Sequence, residues 1–385
     1  MMAKSRVDVT ALTAEVAVLG VWGGVDTHGT THVAAAVDQL GRLLGTGSFA
    51  ATAAGYRVLH RWLGGFGPLL AVGVEGTGSY GAGLARSLSA AQVVVVEVDR
   101  PDRSTRRRVG KDDELDAISA ARAVAAGTAS GIPKTRTGAV EAIRALRVAR
   151  AGAIKARTAA LNQLKDLRLC APEPLRARLT DLSLPVLART VAAWRVPPPG
   201  APSRAGARPS ARPVQTLADP GTATRIAMRA IGRRVAELNT EVAALDTDLY
   251  ALVTTTAPAL IALFGAGVDT AGQLLVTAGD NPDRLHSEAA LARLLGIAPI
   301  PASSGSTTRH RLHRGGDRAG NCAVHRIVIV RLRHDQRTRD FTAARTAQGK
   351  PKPMIIRSLK RYVVREVYHA LITDLTTLTS MPSAA

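Results

Sequence analysis

The sequence predicts an α/β domain at the N-terminus, a long helical, coiled-coil-like middle, and a basic, mainly α C-terminal part. Three observations carry that expectation. Short apolar runs suited to strands alternate with helical stretches over residues 16–130. Apolar residues then recur at helical spacing through 135–170 and again through 221–256. Charge divides at the same place. Residues 1–130 hold 13 Lys and Arg against 12 Asp and Glu, and residues 131–385 hold 38 against 18, so nearly all of the net +21 lies in the second part. The expected domains are 1–130, 131–256 and 257–385.

Within the first part, strands are expected near Val16–Asp26, Thr31–Asp38 and Leu43–Ala50, followed by a helix near Tyr56–Phe66. A strand at Leu69–Glu75, a helix at Tyr80–Ala90 and a strand at Gln92–Val98 complete the pattern. Three consecutive strands followed by helix and strand in alternation match a mixed sheet that begins with an antiparallel meander. That is the RNase H-like, or RuvC-like, order.

Four acids stand out against this framework. Asp26 and Glu75 each end an apolar strand-like run. Asp113 and Asp116 open an Ala-rich helical stretch in Gly110-Lys-Asp-Asp-Glu-Leu-Asp-Ala117. Their spacing of three puts both on one helix face. Carboxylates at adjacent strand ends, facing a helix, repel unless cations neutralise them. Hard oxygen ligands so placed suit two Mg²⁺ ions, the arrangement used to cut phosphodiesters. The plainer reading is surface and cap acids. The Gly76-Thr-Gly-Ser-Tyr80 turn lacks the spacing of a phosphate-binding loop.

The middle part alternates apolar positions (Val140, Ile143, Leu146, Ile154, Leu161, Leu164, Leu167) with basic ones. This predicts one long amphipathic helix, or two in sequence. Residues 197–213 are rich in Pro and Arg, which excludes a helix or central strand and predicts a basic linker. From Ile226 to Leu249 the apolar spacing is heptad-like. Two long helices around an insert predict a helical hairpin, serving dimerisation or packing within the chain.

In the C-terminal part, Leu263–Leu275 resembles a helix-hairpin-helix turn with altered glycines, or is an ordinary Gly-rich turn. The stretch from Gly296 to Asp317 carries Ser303 and Ser304 in a Pro- and Gly-bounded loop before a dense basic run. Residues 309–365 hold 16 Lys and Arg against 3 acids. Serine becomes a nucleophile only when its surroundings activate it, and nearby arginines can neutralise the phosphate it attacks. The alternative is a loop that contacts phosphate. His310, His313, His325 and His334 have no acid or Cys at metal-ligand spacing, and phosphate contacts or surface positions are expected for them.

The charge excess implies a polyanion partner, nucleic acid by default. Arginine outnumbers lysine heavily in a chain rich in Ala and Gly, as a GC-rich genome would dictate, so the excess charge carries this point and the arginine identity does not. Apolar runs are too short for a membrane span, and Met1–Asp8 lacks the apolar core of a signal peptide. Cys170 and Cys322 form no metal-ligand spacing or disulfide framework, in keeping with a reducing cytoplasm.

Taken together, Asp26, Glu75 and the 110–117 block resemble the acidic tetrad of the DEDD transposases of bacterial insertion sequences of the "one-ten" type, related to the Piv/MooV invertases. Gly296, Pro299, Ser304 and Gly305 resemble that family's second signature, as do Arg314-Gly-Gly-Asp-Arg318, Asn321 and Arg326. The resemblance spans about residues 18 to 371. It implies that Asp26, Glu75, Asp113 and Asp116 bind Mg²⁺ in a RuvC-like domain, and that Ser304 is the nucleophile forming a covalent link to DNA, with Ser303 its competitor. It also implies DNA contacts at Arg309, Arg311, Arg314, Arg318 and Arg326, a homo-oligomer with shared active sites, a noncoding bridge RNA pairing with donor and target DNA, and a bacterial cytoplasmic, nucleoid-associated location. The expected function is serine- and Mg²⁺-dependent excision and insertion of the element. The alternatives are a Holliday-junction-type nuclease, a DNA invertase, or an inactive nucleic-acid-binding remnant.

Overall fold

The computed structural model describes residues 20–98, 112–196 and 212–380, apart from 304, 306, 308 and 309. Residues 16–19 of the first expected strand, most of the Pro-rich stretch, Ser304 and Arg309 therefore lie outside the described residues. Two compact units are formed. One draws on Met1–Gly138, Thr277–Asn321 and Ile356–Ala385, the other on Ala139–Val276 and Cys322–Ile355. Each takes residues from both sides of the 256/257 boundary read from the sequence.

The first unit opens with β1 (Val21–Thr27), β2 (Thr31–Val37), β3 (Leu43–Ala50), α1 (Ala53–Gly64), β4 (Leu69–Glu75), α2 (Ala82–Ala90), β5 (Val95–Val98) and α3 (Asp113–Ala125). The sheet order is β3-β2-β1-β4-β5. β2 is antiparallel to both β1 and β3, whereas β4 is parallel to both β1 and β5. This is the mixed sheet with a leading meander that the element order predicts, consistent with an RNase H-like domain. Several boundaries shift from expectation, and two of the shifts have clear local reasons. α1 starts three residues early because Thr52 caps it, its hydroxyl accepting from Gly55 N–H. β5 starts three residues late because Gln92 adopts φ +60 and Val93 N–H closes onto Leu88 O, so both belong to the turn that ends α2.

Strand alternation divides the sheet into two faces. Val21, Val25, Ala34, Ala36, Val72 and Val74 pack with Leu59 and Leu63 of α1 and with Leu84 and Leu88 of α2. The opposite face carries glycines where α3 lies. A Cβ on Gly24 would stand 2.1 Å from Ala117 O and 2.2 Å from Ala121 N. One on Gly73 would stand 2.7 Å from Val124 Cγ2 and 3.0 Å from Ala120 O. Glycine in the strands and alanine in the helix thus let the two backbones nearly touch. Arg122 Nε of α3 also donates to Gly41 O, 2.9 Å away in the β2–β3 turn. That turn is held by the buried Asp38, which accepts from Leu40 N, Arg42 N and Arg42 Nε.

The second unit is helical. α4 (Gly138–Leu169), α5 (Glu173–Leu179), α6 (Leu184–Ala192), α7 (Val214–Ala218), α8 (Pro220–Thr256), α9 (Pro258–Ala262) and α10 (Val268–Ala278) follow in sequence. α4 and α8 run antiparallel. Arg157 Nη1 of α4 donates to Asn239 Oδ1 of α8 at 3.0 Å, and seven residues back along α4 and seven on along α8, Arg150 pairs with Asp246. Leu164, Leu187, Val191, Met228 and Val235 form the core between α4, α6 and α8. The heptad-like stripe of α8 is therefore covered, in part, within the chain. Asp269 of α10 gathers Arg147, Arg150 and Arg326. Burial raises the Asp269 carboxyl, but these guanidinium groups outweigh it and hold the group below the usual carboxylate range.

The remaining elements are α11 (Glu288–Leu294), β6 (Ile300–Pro301), β7 (His310–Arg311), α12 (Arg318–His334), α13 (Gln336–Ala347) and α14 (Lys352–Ser380). The expected helix-hairpin-helix segment is the turn between α9 and α10, with Gly265 at φ +85. Its polar groups are engaged internally: Gly267 N–H donates to Thr270 Oγ1, and Phe264 O accepts from Arg331 Nε. No helix among the described residues is long and apolar enough to cross a membrane.

Candidate active site

The α3 face of the sheet determines where the acids stand. Asp26 lies two residues beyond Gly24 on β1, and Glu75 two beyond Gly73 on β4, so both side chains share the face that α3 covers. Val25 pairs with Val74, which sets Asp26 and Glu75 at the neighbouring ends of two parallel strands. Thr27 Oγ1 donates to Glu75 O at 2.8 Å and ties those ends together.

α3 brings the remaining acids to this edge by its N-terminal turn. Asp112 is the cap, its carboxylate accepting from Glu114 N–H at 2.9 Å, and Glu114 itself is exposed. Asp113 and Asp116 occupy the sheet side, with Asp116 only 7% exposed, like Asp26. The four acids of 112–116 thus divide into a cap, a solvent position and two residues facing the strand ends. Negative charge at a helix N-terminus also suits the helix dipole.

His28 joins the group. It follows Asp26 by two residues, and its N–H donates to Thr31 O in the β1–β2 turn. The Nδ1 atom stands 3.7 Å from Asp26 Oδ2, and Nε2 stands 3.8 Å from Asp113 Oδ1. Asp26, His28 and Asp113 offer ligand atoms all within 4.8 Å of one another. Glu75 and Asp116 are near in the fold but are not members of that closest set. Two carboxylates and an imidazole fit a divalent cation by donor chemistry. His28 lies one residue beyond β1, and its spacing of two from Asp26 becomes a signal only once Asp113 is seen opposite.

Other residues frame this edge. Gly76 turns the chain after β4 at φ +70. Tyr80, 62% exposed, lies beside Gly29, and the Arg136 guanidinium lies beside Gly78. Arg136 has φ +54, a left-handed conformation uncommon for a residue with a side chain. No sequence pattern announces it, because backbone conformation and long-range approach place it there. Behind the turn, Thr77 Oγ1 donates to Glu97 Oε1 at 2.6 Å, and Glu97 pairs with Arg284 at 3.4 Å. Lys134 is lowered to about 8, first by burial and then by Arg284 and Arg136, against the pull of Asp317 and Glu97.

The second signature block forms a scaffold around a short ribbon. β6 pairs antiparallel with β7, Pro301 opposite His310. Ser303 is exposed in the connecting loop, Gly305 turns it at φ +53, and Ser304 lies outside the described residues. Gly296, at φ +65, and Gly316 meet backbone to backbone, since a Cβ on Gly316 would stand 2.1 Å from Gly296 N. Asp317 caps α12, accepting from Ala319 N and Gly320 N, and receives Thr277 Oγ1 at 3.0 Å. Asn321 Nδ2 donates to Leu295 O, and Lys360 Nζ donates to Asn321 Oδ1. Arg311, Arg314 and Arg318 are exposed, Arg326 is paired with Asp269, and Arg309 lies outside the described residues.

Comparison with known proteins agrees with both blocks. Residues 23–168 match a family model described as Transposase, of the DEDD type. Residues 257–343 match the model described as Transposase IS116/IS110/IS902 family. The chain is also similar to the "Insertion element IS110 uncharacterized 43.6 kDa protein" of Streptomyces coelicolor, 31% identical over 165 residues. That alignment covers 42% of this chain and 40% of the relative's length. With both signature blocks matched in order, the chain belongs to the IS116/IS110/IS902 family of transposases.

Proposed function

We propose that this protein is a DNA recombinase that excises and inserts an insertion sequence by strand transesterification, guided by a bridge RNA. The observation that carries the reading is that Asp26 and Asp113 lie within 4.8 Å of each other and of His28, with Glu75 at the neighbouring strand end and Asp116 one helical turn along α3. Family membership adds the substrate class, DNA. In this reading those four acids hold Mg²⁺. A bound cation of this kind supplies charge neutralisation on the phosphate under attack.

Ser304 is the nucleophile. Its hydroxyl oxygen attacks phosphorus, a serine–phosphate bond forms, the bond to one sugar oxygen breaks, and that oxygen leaves as a sugar hydroxyl carrying a proton. A sugar hydroxyl of the partner strand then attacks the same phosphorus and restores the serine. No net oxidation or hydrolysis occurs, so strands are exchanged without loss of phosphodiester bonds. Arg309, Arg311, Arg314, Arg318 and Arg326 contact phosphates near the exchange. The chain works as a homo-oligomer, dimer or tetramer, with the bridge RNA pairing to donor and target DNA.

Supporting features are the exposed Ser303 and turn at Gly305, and the arginines that follow them. The test is trapping of covalent protein–DNA adducts with wild-type and Ser304→Ala proteins. Adducts are expected only with the wild type, with DNA binding retained in the variant. Adducts at wild-type level in Ser304→Ala would exclude the role, and absence of adducts from an active wild type would favour a junction nuclease in which water attacks.

A further inference from the structure

The geometry points to His28 as a nitrogen ligand of the divalent-cation position formed with Asp26 and Asp113, which makes that position select manganese over magnesium. The inference rests on the metal-dependent reading of the acids above and changes the ligand set that reading assumes.

The imidazole stands between two carboxylates that come from different elements. Nδ1 is 3.7 Å from Asp26 Oδ2 and Nε2 is 3.8 Å from Asp113 Oδ1. A hydrogen bond needs about 2.7–3.2 Å, so neither contact commits a ring nitrogen as a donor. Neighbouring ligands of one octahedral cation stand about 3 Å apart when metal–ligand bonds are about 2.1 Å. A single cation takes one ring nitrogen, and with one donor atom from each residue the three lie within 4.8 Å of one another, a spread that rotation of the ring and of the carboxylates can close.

The backbone beneath the ring is fixed. His28 N–H bonds to Thr31 O at 3.1 Å, and Thr27 beside it anchors Glu75 O. Asp26 lies on β1 and His28 one residue past its end, while Asp113 is set by the close contact of α3 with Gly24. A ligand held by a tied turn starts from a defined position. The His28 side chain is 37% exposed, so one side of the position stays open to a phosphate.

Donor chemistry gives the consequence. Magnesium prefers oxygen and gives up its water reluctantly, so an imidazole adds little to its binding. Manganese also takes carboxylates, and as a transition-metal ion, although the weakest binder of its row, it gains more from an imidazole nitrogen than magnesium does. A position of two carboxylates and one imidazole therefore favours manganese over magnesium more strongly than carboxylates alone.

The experiment titrates the purified full-length protein with Mn²⁺ and with Mg²⁺, by calorimetry, and records pulsed electron paramagnetic resonance of the Mn²⁺ form. The wild type is expected to bind Mn²⁺ at least about tenfold more tightly than Mg²⁺ and to show a nitrogen coupling from one imidazole. His28→Ala is expected to lose that coupling and about tenfold in Mn²⁺ affinity, while Mg²⁺ affinity changes by less than about twofold. Asp113→Asn is expected to weaken both metals. Absence of nitrogen coupling in the wild type, or wild-type Mn²⁺ affinity in His28→Ala while Asp113→Asn weakens both metals, would overturn the His28 assignment alone. Wild-type binding of both metals by Asp113→Asn would overturn the metal site itself, and the assignment with it.

Discussion

Asp113 is the residue on which the acidic edge depends, because among the described residues it is the helix carboxylate grouped with Asp26 and His28. Asp113→Asn keeps the size and polarity of the side chain while removing its charge. It is expected to lower divalent-cation-dependent strand cleavage at least about 100-fold, or about 2.7 kcal/mol in the barrier. Unchanged cleavage in saturating Mg²⁺ or Mn²⁺ would remove Asp113 from the chemistry. Lys134 gives a prediction of a different kind. Its folded-state value of about 8 lies below the ordinary 10.5, so between those values the unfolded chain binds a proton that the folded chain does not. Stability is therefore expected to rise with pH from about 8 to about 10, by up to about 3 kcal/mol. In Lys134→Met that rise should vanish. Parallel wild-type and variant curves from chemical denaturation across this pH range would contradict the buried-lysine account.

At the scale of elements, α3 and the glycines beneath it set the site. Gly24→Ala directs a methyl group at the backbone of Ala117 and Ala121, which cannot yield as a flexible side chain would. The expected cost is about 3 kcal/mol, the upper end for overpacking. Gly64→Ala, at the end of α1 with open space around it, is the control and should be neutral or slightly stabilising. Equal denaturation midpoints for the two variants would refute the close-packed interface. Much of this arrangement is legible in the sequence. Asp26 and Glu75 end apolar runs, and the spacing of three between Asp113 and Asp116 gives a shared helix face. The glycines at 24 and 73 look like weak strand residues until the helix that fills their place is seen. His28 stands two residues after Asp26, yet a lone histidine after a strand carries no message without Asp113 opposite. Lys134, Arg136 and Arg284 come together only through long-range packing, which local patterns do not encode.

At the scale of the molecule, the acidic edge and the ribbon that carries Ser303 belong to one compact unit, although more than 175 residues of sequence separate them. Periodicity and charge mark where helices and basic residues lie, but a unit assembled from three separate segments leaves no compositional trace. The second signature block shows the same point in miniature. In sequence its glycines read as the bounds of a loop that carries Ser303 and Ser304, and in the fold Gly296, Gly316, Asp317 and Asn321 build the support for the ribbon and for α12.

The most direct test is recombination in cells that carry donor and target plasmids together with the DNA flanking the native gene. Wild-type protein, Ser304→Ala and Asp113→Asn would be compared at matched expression. Recombinants that require the flanking DNA, Ser304 and Asp113 together are the result predicted for an RNA-guided, serine-dependent recombinase. Recombinants at wild-type frequency with either variant would contradict it.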